Sequence, residues 1–229
     1  MGAFLASRIV TDQICDLHDY EMMRRRSEPT MFVWHLDETL LVLGGNQSID
    51  VVTREGRASV SVRRRRGGGG IVLLQPGDLW IDWWIPSGDP RWIGDVRRSS
   101  VQVGEWWRDA LRETIDGEVM VHEGALEGEL AHRVACFAGR GPGEVMVDGR
   151  KAVGLTQWRI REGCFFSTVL PSKSADAIMT LLRDVPDGLA EALDHHTLST
   201  LGIDDTAALT AALSRFHGPW SVIEPSSVT

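Results

Sequence analysis

Short runs of β-branched, aromatic and aliphatic residues recur between residues 31 and 170, and most end at a Gly, Pro or Asp-Gly turn signal. Runs of this kind are typical of strands, and short turns between them favour antiparallel pairing. One segment differs, because over Val101 to Ile115 the apolar residues have helical spacing, and Ser99 or Ser100 can cap that helix. The pattern predicts an α+β fold, with a mixed, largely antiparallel sheet flanked by helices.

The first strands are predicted within Met31 to Leu43, as a hairpin or as two consecutive strands around Asp37-Glu38. A helix is predicted over residues 5 to 26, and after Pro171 the pattern becomes helical to the end of the chain. The remaining predicted strands are Ala58–Arg63, Ile71–Leu74, Leu79–Ile85, Glu118–His122, Glu144–Val147, Ala152–Ile160 and Cys164–Leu170.

Composition excludes several classes of protein. The formal net charge of -8 argues against a general nucleic-acid binder, which usually presents a net basic face. No apolar run approaches the length that spans a bilayer, and the N-terminus does not resemble a signal peptide, so we expect a cytoplasmic protein without a membrane partner. Three cysteines without C-x-x-C spacing suggest neither a disulfide framework nor a zinc site.

The tract V-R-R-R-R-G-G-G-G-I-V, which begins at Val62, lies between two predicted strands. Glycines let backbone N–H groups approach an anion closely, but no G-K-[ST] and no helix follow, so the tract is not a P-loop. On the residues alone, an anion-binding loop and a flexible turn both remain open.

Two further side chains are candidates for chemistry. Lys151 follows the Asp148-Gly149 turn in a chain that has only two lysines, and it needs an anionic partner if it points inward. Cys136 is a nucleophile if a nearby cation activates it, and otherwise a buried structural thiol. The clustered tryptophans are interpreted as core residues.

Taken in order, these motifs resemble the lipoate-protein ligase and octanoyltransferase superfamily, which is related to the biotin protein ligases. The family loop R-R-S-G-G-G-A-V corresponds to Arg65 to Val72, and the family block D-G-x-K-x-x-G-S-A-Q corresponds to Asp148 to Gln157. The family segment V-V-I-G-x-x-Q corresponds to L-V-L-G-G-N-Q, which ends at Gln47. The chain also resembles short ligase-like proteins of actinobacterial type, which carry C-F-A-G-x-G-P-G-E-V before the lysine.

The resemblance implies a biotin/lipoyl protein ligase catalytic domain over residues 1–171, with residues 172–229 as a C-terminal helical extension packed on it. It implies an enzyme that attaches a lipoyl or octanoyl group to a lysine of a carrier domain. The implied catalytic residues are Lys151 and Cys136. The implied substrate-binding residues are Gln47, Arg65, Arg66, Gly68, Gly69, Gly70 and Gly154, and no metal ligand is implied.

Two mechanisms follow from the resemblance, and the ligase is the favoured one because the Arg-Gly tract and Lys151 both match the family, while the transferase is the alternative. A ligase uses ATP and Mg²⁺ to activate lipoate or octanoate as an acyl-adenylate, which the Arg-Gly loop and Lys151 hold. A transferase needs no cofactor, since Cys136, in A-C-F, accepts the acyl group as a thioester, with an acyl carrier protein as donor. In both, the implied acceptor is a lipoyl domain or a glycine-cleavage H-type protein. Arg63 and Arg64 are expected to be solvated.

The sequence departs from the family pattern at three places. Gly67 replaces the loop serine, Leu155-Thr156 replaces Ser-Ala, and Phe166-Ser167-Thr168 replaces His-Gly-Thr. The loss of His-Gly-Thr leaves open a non-catalytic acyl-binding relative, and the relation to the biotin protein ligases leaves open a biotin ligase-like enzyme.

Overall fold

The computed structural model describes residues 14–128, 133–196, 206–215 and 218–224 of the chain. Within these ranges, strands form one sheet of seven strands and one of three. The strands are β1 (Thr30–Trp34), β2 (Leu40–Leu43), β3 (Ser61–Arg64), β4 (Val72–Leu74), β5 (Leu79–Pro86), β6 (Val119–Val121), β7 (Val145–Val147), β8 (Arg150–Ile160), β9 (Gly163–Leu170) and β10 (Ser221–Ile223). The α-helices are α1 (Tyr20–Arg24), α2 (Arg54–Ser59), α3 (Val96–Thr114), α4 (Leu189–His196) and α5 (Thr206–Arg215). Short 3-10 helices lie at Ile49–Val51, Cys136–Ala138 and Ala175–Leu181.

The large sheet has the strand order β10-β1-β5-β9-β8-β7-β6, and its strands pair antiparallel except for β10 and β1. The small sheet has the order β3-β2-β4, with β2 parallel to β3 and antiparallel to β4. The α+β fold with a mixed, largely antiparallel sheet is therefore confirmed. Of the two predicted alternatives, the hairpin between β1 and β2 is wrong and two consecutive strands is right, because the chain crosses between sheets there and the fully buried β2 pairs with β3 and β4 on its two edges.

Strand β5 forms the middle of the core. Its residues from Leu79 to Ile85 are all buried, and successive side chains point to opposite faces of the sheet. Trp80 and Trp84 pack toward the small sheet, while Trp83 packs toward α3. The sheet is therefore covered on both faces, and the predicted core role of the clustered tryptophans is confirmed, since each is at most 1% exposed.

Helix α3 covers one face of the large sheet. Val103, Trp106, Trp107 and Ala110 follow helical spacing and are buried against it. The cap is Asp95, whose carboxylate accepts the backbone N–H of Arg98 at 2.7 Å, so the helix begins one turn before the predicted serines. The extra turn carries exposed arginines and extends beyond the apolar stripe on which the prediction rested.

The N-terminal segment differs from the predicted helix. Of residues 5 to 26, residues 5–13 lie outside the described part, and of the rest only α1 is α-helical. Residues 15 to 17 are extended instead, because the outer edge of β3 offers backbone partners: Leu17 N–H donates to the Arg64 carbonyl at 2.7 Å, and Arg64 N–H donates to the Cys15 carbonyl at 3.0 Å.

The described residues after Pro171 include α4, α5 and a 3-10 helix, but β10 is a strand that pairs parallel with β1. Three residues are too few to show a periodicity, so the pattern could not reveal it. Leu209 and Leu213 of α5 belong to the same core as α3. The domain boundary at residue 171 stays a prediction. Among the described helices, none has the length and apolarity needed to cross a bilayer.

Candidate active site

The glycine tract links β3 to β4, as predicted, and its glycines have different reasons to lack a side chain. Gly69 has a φ of +94°, which disfavours any L side chain. A Cβ on Gly70 would lie 2.7 Å from the backbone of Ala135, so the loop packs closely against the segment before Cys136. A Cβ on Gly68 would meet nothing within 4 Å. The three glycines line a polar cavity.

Arg65 holds this loop from the inside. It is 4% exposed, and its guanidinium donates to the carbonyl oxygens of Gly68 at 2.8 Å, Gly70 at 2.6 Å and Val42 at 3.4 Å. Burial lowers the pKa of Arg65 from its ordinary value, while the nearby Cys136, Tyr20 and Glu144 raise it. Among the described residues, no carboxylate forms an ion pair with Arg65, so its positive charge stays uncompensated beside the loop.

The peptide between Gly68 and Gly69 shows what this anchoring does. In a trans peptide the C=O and N–H point in opposite directions, so the Gly68 carbonyl that faces Arg65 turns the Gly69 N–H away from it. In the described part of the chain, the backbone N–H groups of Gly68, Gly69 and Gly70 donate no hydrogen bond. The loop therefore presents free donors while Arg65 occupies the carbonyl oxygens of Gly68 and Gly70.

The neighbouring arginines have other partners. Arg64, which the sequence predicts as solvated, donates to the carbonyl oxygens of Gly44 and Gln47 at 3.1 and 2.5 Å, so that prediction is wrong. Arg66 pairs with Asp16 at 3.2 Å and lies over the Trp158 ring, 4.8 Å from its centroid. Arg66 lines neither of the two cavities described below, and its contact with a substrate stays a prediction.

Gln47 joins two loops of the site. Its side-chain oxygen accepts the Gly44 N–H at 2.9 Å, and its amide nitrogen donates to the carbonyls of Arg133 and Val134, both at 3.1 Å. It therefore fixes the segment before Cys136 against the end of β2. Contact of Gln47 with a substrate stays a prediction.

Lys151 points inward from the start of β8 and is fully buried. Its ammonium lies 2.6 Å from Glu144 Oε1 and donates to the carbonyl oxygens of Cys136 at 2.7 Å and Gly139 at 3.1 Å. The ammonium also lies 4.8 Å from the centroid of the Phe137 ring. The anionic partner that an inward lysine requires is thus present, and the charges of Lys151 and Glu144 cancel.

Glu144 is a site residue that the sequence analysis missed. Its second oxygen accepts the Gly141 N–H at 2.6 Å, and the residue is 3% exposed. The requirement for a partner to Lys151 was the signal that could have identified it, because Glu144 lies in the G-P-G-E-V segment shortly before the lysine.

Cys136 lies at the junction of the site. It begins a short 3-10 helix, is partly exposed, and its Sγ lies 4.0 Å from the Lys151 ammonium. The Sγ atom and Arg65 Nη2 both lie within 4 Å of the point that a Cβ on Gly69 would occupy. The structure therefore brings Cys136, Lys151, Arg65 and the glycine loop together.

Two cavities meet at Cys136. An apolar cavity of about 390 Å³ lies on one side and a larger polar cavity of about 1620 Å³ lies on the other, both counted with the solvent-filled space at their open mouths. Cys136, Leu155 and Thr156 line both. The apolar cavity is also lined by Leu17, Val42, Arg65, Val72, Leu74, Trp80, Phe137, Gly154, Ser167 and Val169.

Residues at the positions that depart from the family pattern contribute to these walls. The Thr156 hydroxyl lies 3.3 Å from the Gly68 carbonyl and links β8 to the glycine loop. Ser167 accepts the Trp80 indole N–H at 3.1 Å at the wall of the apolar cavity. Gly154 lines the same cavity, where a Cβ would lie 2.8 Å from the Phe137 ring.

Three other titratable groups near the sheet, Cys164, His18 and Asp82, line neither of the two cavities. Burial raises the pKa of the Cys164 thiol to about 12, and Cys164 lines neither cavity. His18 Nε2 lies 2.9 Å from Asp82, which also accepts the indole N–H groups of Trp34 and Trp80. In the part of the chain that is described, no group of three His, Cys, Asp or Glu side chains could hold a metal ion.

The comparisons with known proteins agree with this architecture. The family described as lipoyl protein ligase A/B catalytic domain matches residues 13–188. No curated protein matches the sequence significantly.

Several solved structures share the fold at low sequence identity. A lipoate-protein ligase A bound with ATP is 17% identical, with a TM-score of 0.63 over 88% of this chain and 76% of that chain. A bipartite lipoate protein ligase from Thermoplasma acidophilum, studied with its E2 lipoyl domain, is 16% identical, with a TM-score of 0.62 over 93% of this chain and 81% of that chain. A structure from T. acidophilum with bound lipoic acid is 16% identical, with a TM-score of 0.67 over 92% of this chain and 82% of that chain.

The family match covers most of the chain, and the solved structures have the same fold. The chain therefore belongs to the lipoyl protein ligase A/B catalytic domain family and is an enzyme of the ligase or transferase class.

Proposed function

We propose that the protein transfers a lipoyl or octanoyl group to a lysine of a carrier domain, with Cys136 accepting the acyl group as a thioester. The observation that carries this proposal is the position of Cys136, whose side chain lines both the apolar and the polar cavity. A nucleophile at such a junction can reach the carbonyl carbon of an acyl chain held on the apolar side.

The apolar cavity suits an acyl chain. Most of its lining is aliphatic or aromatic, as in pockets that hold apolar ligands, and Cys136 lies among the lining residues. Burying each methylene of a chain there contributes about 0.8 kcal/mol of binding free energy. The donor's head group then lies on the polar side of Cys136.

The chemistry consists of two acyl transfers. In the first, the Cys136 sulfur attacks the carbonyl of a donor thioester, its C–S bond to the acyl group forms, the donor's C–S bond breaks, and the donor thiol takes the proton that Cys136 releases. In the second, the amine of the carrier lysine attacks the enzyme thioester, a C–N bond forms, the C–S bond to Cys136 breaks, and a proton from the amine restores the Cys136 thiol.

The surrounding groups support these steps. Arg65, with which no described carboxylate forms an ion pair, lies near Cys136 and stabilises negative charge that develops on the sulfur. The Lys151 ammonium, 4.0 Å from Sγ and paired with Glu144, holds the Cys136 backbone in place. The free N–H groups of the glycine loop can donate to the carbonyl oxygen as it becomes anionic, while Arg65 holds the loop in place.

A ligase mechanism is the second candidate, and the polar cavity favours it. That cavity is lined by the glycine loop and by arginines, a combination that can hold the phosphates of ATP. ATP supplies activation of a free carboxylate, and Mg²⁺, which in such sites is held largely by phosphates and water, would enter with the nucleotide. In this mechanism Lys151 and the glycine loop hold the acyl-adenylate, and Cys136 is not acylated.

The proposed acceptors are a lipoyl domain or a glycine-cleavage H-type protein, and an acyl carrier protein is the proposed donor for the transferase mechanism. The T. acidophilum ligase, which has been studied with its E2 lipoyl domain, supports a lipoyl domain as the acceptor.

Intact-mass spectrometry distinguishes the two mechanisms. In the first mixture, the protein is incubated with a lipoyl domain and octanoyl carrier protein. In the second, it is incubated with a lipoyl domain, lipoate, ATP and Mg²⁺. A third mixture, with biotin, ATP, Mg²⁺ and a biotin-accepting carrier domain, tests the biotin ligase-like alternative. The transferase proposal predicts acylated lipoyl domain in the first mixture and a transient acyl adduct on the enzyme. Cys136→Ser removes both, and Cys15→Ser, which changes an exposed cysteine, removes neither.

The outcomes are separable. Acylation only in the second mixture, unchanged in Cys136→Ser, identifies the ligase mechanism and refutes the thioester. Failure of both lipoyl-domain mixtures with folded protein refutes acyl transfer altogether.

A further inference from the structure

A second apolar cavity lies beside the apolar cavity at Cys136, which is called the acyl cavity below. The second cavity is enclosed by β4, the 3-10 helix Cys136–Ala138 and residues from Pro171 onward, and it measures about 300 Å³, counted with the solvent-filled space at its mouth. Its described lining is mostly aliphatic and contains one charged residue, the exposed Lys173. The aliphatic walls include Ile71, Leu73, Ala175, Ile178 and Leu193.

The two apolar cavities lie on opposite faces of β4. Successive side chains of a strand point to opposite faces, and here Val72 and Leu74 line the acyl cavity, while Ile71 and Leu73 line the second cavity. Because β4 is an edge strand of the small sheet, a route from one cavity to the other passes around its outer edge.

The segment that carries Cys136 covers this edge. Ile71 N–H donates to the Val134 carbonyl at 2.7 Å, and Cys136 N–H donates to the Ile71 carbonyl at 2.9 Å. Phe137 is the next residue of the segment, and it lines both apolar cavities. Backbone pairing therefore closes the edge at Ile71, and Phe137 forms the wall beyond it.

The Phe137 ring is held in this wall by its neighbours. Phe137 is 3% exposed, and a Cβ on Gly154 would lie 2.8 Å from the ring, so the ring packs closely against β8. The Lys151 ammonium lies 4.8 Å from the centroid of the ring. Val72, which also lines both cavities, has a smaller side chain, so Phe137 contributes most of the wall.

We propose that Phe137 determines the length of the acyl chain that the enzyme accepts, by closing the acyl cavity against the second apolar cavity. The inference rests on the proposed function in that the acyl chain occupies the cavity at Cys136. Each methylene that enters apolar space strengthens binding, so a chain too long for the acyl cavity gains affinity only where further apolar space is open to it. Removal of the ring would open the second cavity to such a chain.

Calorimetric binding of two fatty acids tests this without any acyl transfer. Octanoate and dodecanoate are compared at concentrations at which neither forms micelles. The wild-type protein should bind dodecanoate no more tightly than octanoate. In Phe137→Ala, the affinity for dodecanoate relative to octanoate should rise at least about tenfold, and in Phe137→Leu it should rise less.

The chain offers a matched control and a reversal. Val169 lines the acyl cavity but not the second cavity, so Val169→Ala enlarges the first without joining the two and should change the ratio less than about twofold. In the Phe137→Ala background, Leu193→Trp fills the second cavity and should remove most of the gain. Ala175→Leu fills the same cavity with a smaller change, and thermal unfolding of each variant confirms that it is folded.

Each result decides one question. An unchanged ratio in folded Phe137→Ala, or no binding of either fatty acid, overturns the inference, even where acyl transfer is observed. A gain that neither Leu193→Trp nor Ala175→Leu reverses also overturns it, because the added methylenes then lie elsewhere. A gain that these substitutions reverse supports the inference, and if no carrier is acylated in that case, the proposed function alone fails.

Discussion

The buried pair of Lys151 and Glu144 leads to a quantitative prediction about stability. Both residues are at most 3% exposed, and their charged atoms lie 2.6 Å apart. In Glu144→Gln the ammonium loses its counter-charge, and the amide cannot accept from both Lys151 and the Gly141 N–H as the carboxylate does. Breaking a buried pair on one side costs about 3–5 kcal/mol, a large part of the roughly 5–15 kcal/mol by which a domain is stable.

A double-mutant cycle measures this pair directly. Lys151→Met should cost a similar amount, because it leaves a buried carboxylate unpaired, and the double variant should lose at least about 2 kcal/mol less than the sum of the two single variants. Urea unfolding followed by tryptophan fluorescence gives the free energies, with an unchanged dependence on urea as a check that the folded state is the same.

An exposed ion pair provides the control for this cycle. Glu105 and Arg108 are 3.4 Å apart on the surface of α3, and Glu105→Gln should change the free energy of unfolding by less than about 1 kcal/mol. Losses below about 1 kcal/mol in both single variants, with additive effects in the double variant, would refute the inference that the two charges depend on each other.

Three further outcomes are expected. Gly69→Ala should destabilise the protein by about 1–2 kcal/mol in thermal unfolding, since φ is +94° and the new Cβ lies 3.0 Å from Arg65 Nη2. In Gly68→Ala the new Cβ meets nothing within 4 Å, so this control should have little effect, and equal losses in the two variants would contradict the prediction. Arg65→Met should lower the free energy of unfolding by about 3 kcal/mol because three carbonyl acceptors lose their donor. Arg66→Met breaks partly exposed ion pairs and should lower the free energy of unfolding by less than about 1 kcal/mol. Cys164 should resist iodoacetamide at pH 8 in the folded protein and react in urea, because burial raises its pKa to about 12 and leaves the neutral thiol; rapid alkylation without denaturant would show that the thiol is accessible.

The strands of the sheet could be predicted because their signals are local. Apolar runs such as Leu79–Ile85 and the turn at Asp148-Gly149 contain both the element and its end within a few residues. Pairing could not be predicted in the same way, since β1 and β2 are adjacent in sequence and lie in different sheets. Strand β10 depends on the free edge of β1, which no local pattern describes.

The site was predictable as a set of motifs and less so as a set of contacts. Four consecutive arginines do not indicate which side chain points inward, and the structure gives Arg64 and Arg65 backbone carbonyls at Gly44 and Val42, about twenty residues earlier in the chain, as partners. For a similar reason, the sequence did not show which carboxylate is the partner of Lys151. The register between β7 and β8 shifts between Val145 and Met146, so counting back from the turn does not identify Glu144.

The anchoring of the glycine loop by Arg65 also affects how its motions can be measured. Gly69 is exposed and its N–H is bonded to no described residue, so this amide should exchange with deuterium at close to the rate of an unstructured peptide. The atoms around it are nevertheless fixed by one buried guanidinium. Fast exchange at this position would therefore report solvent access rather than disorder, and nuclear relaxation on the fast timescale should show a rigid backbone at the same residue.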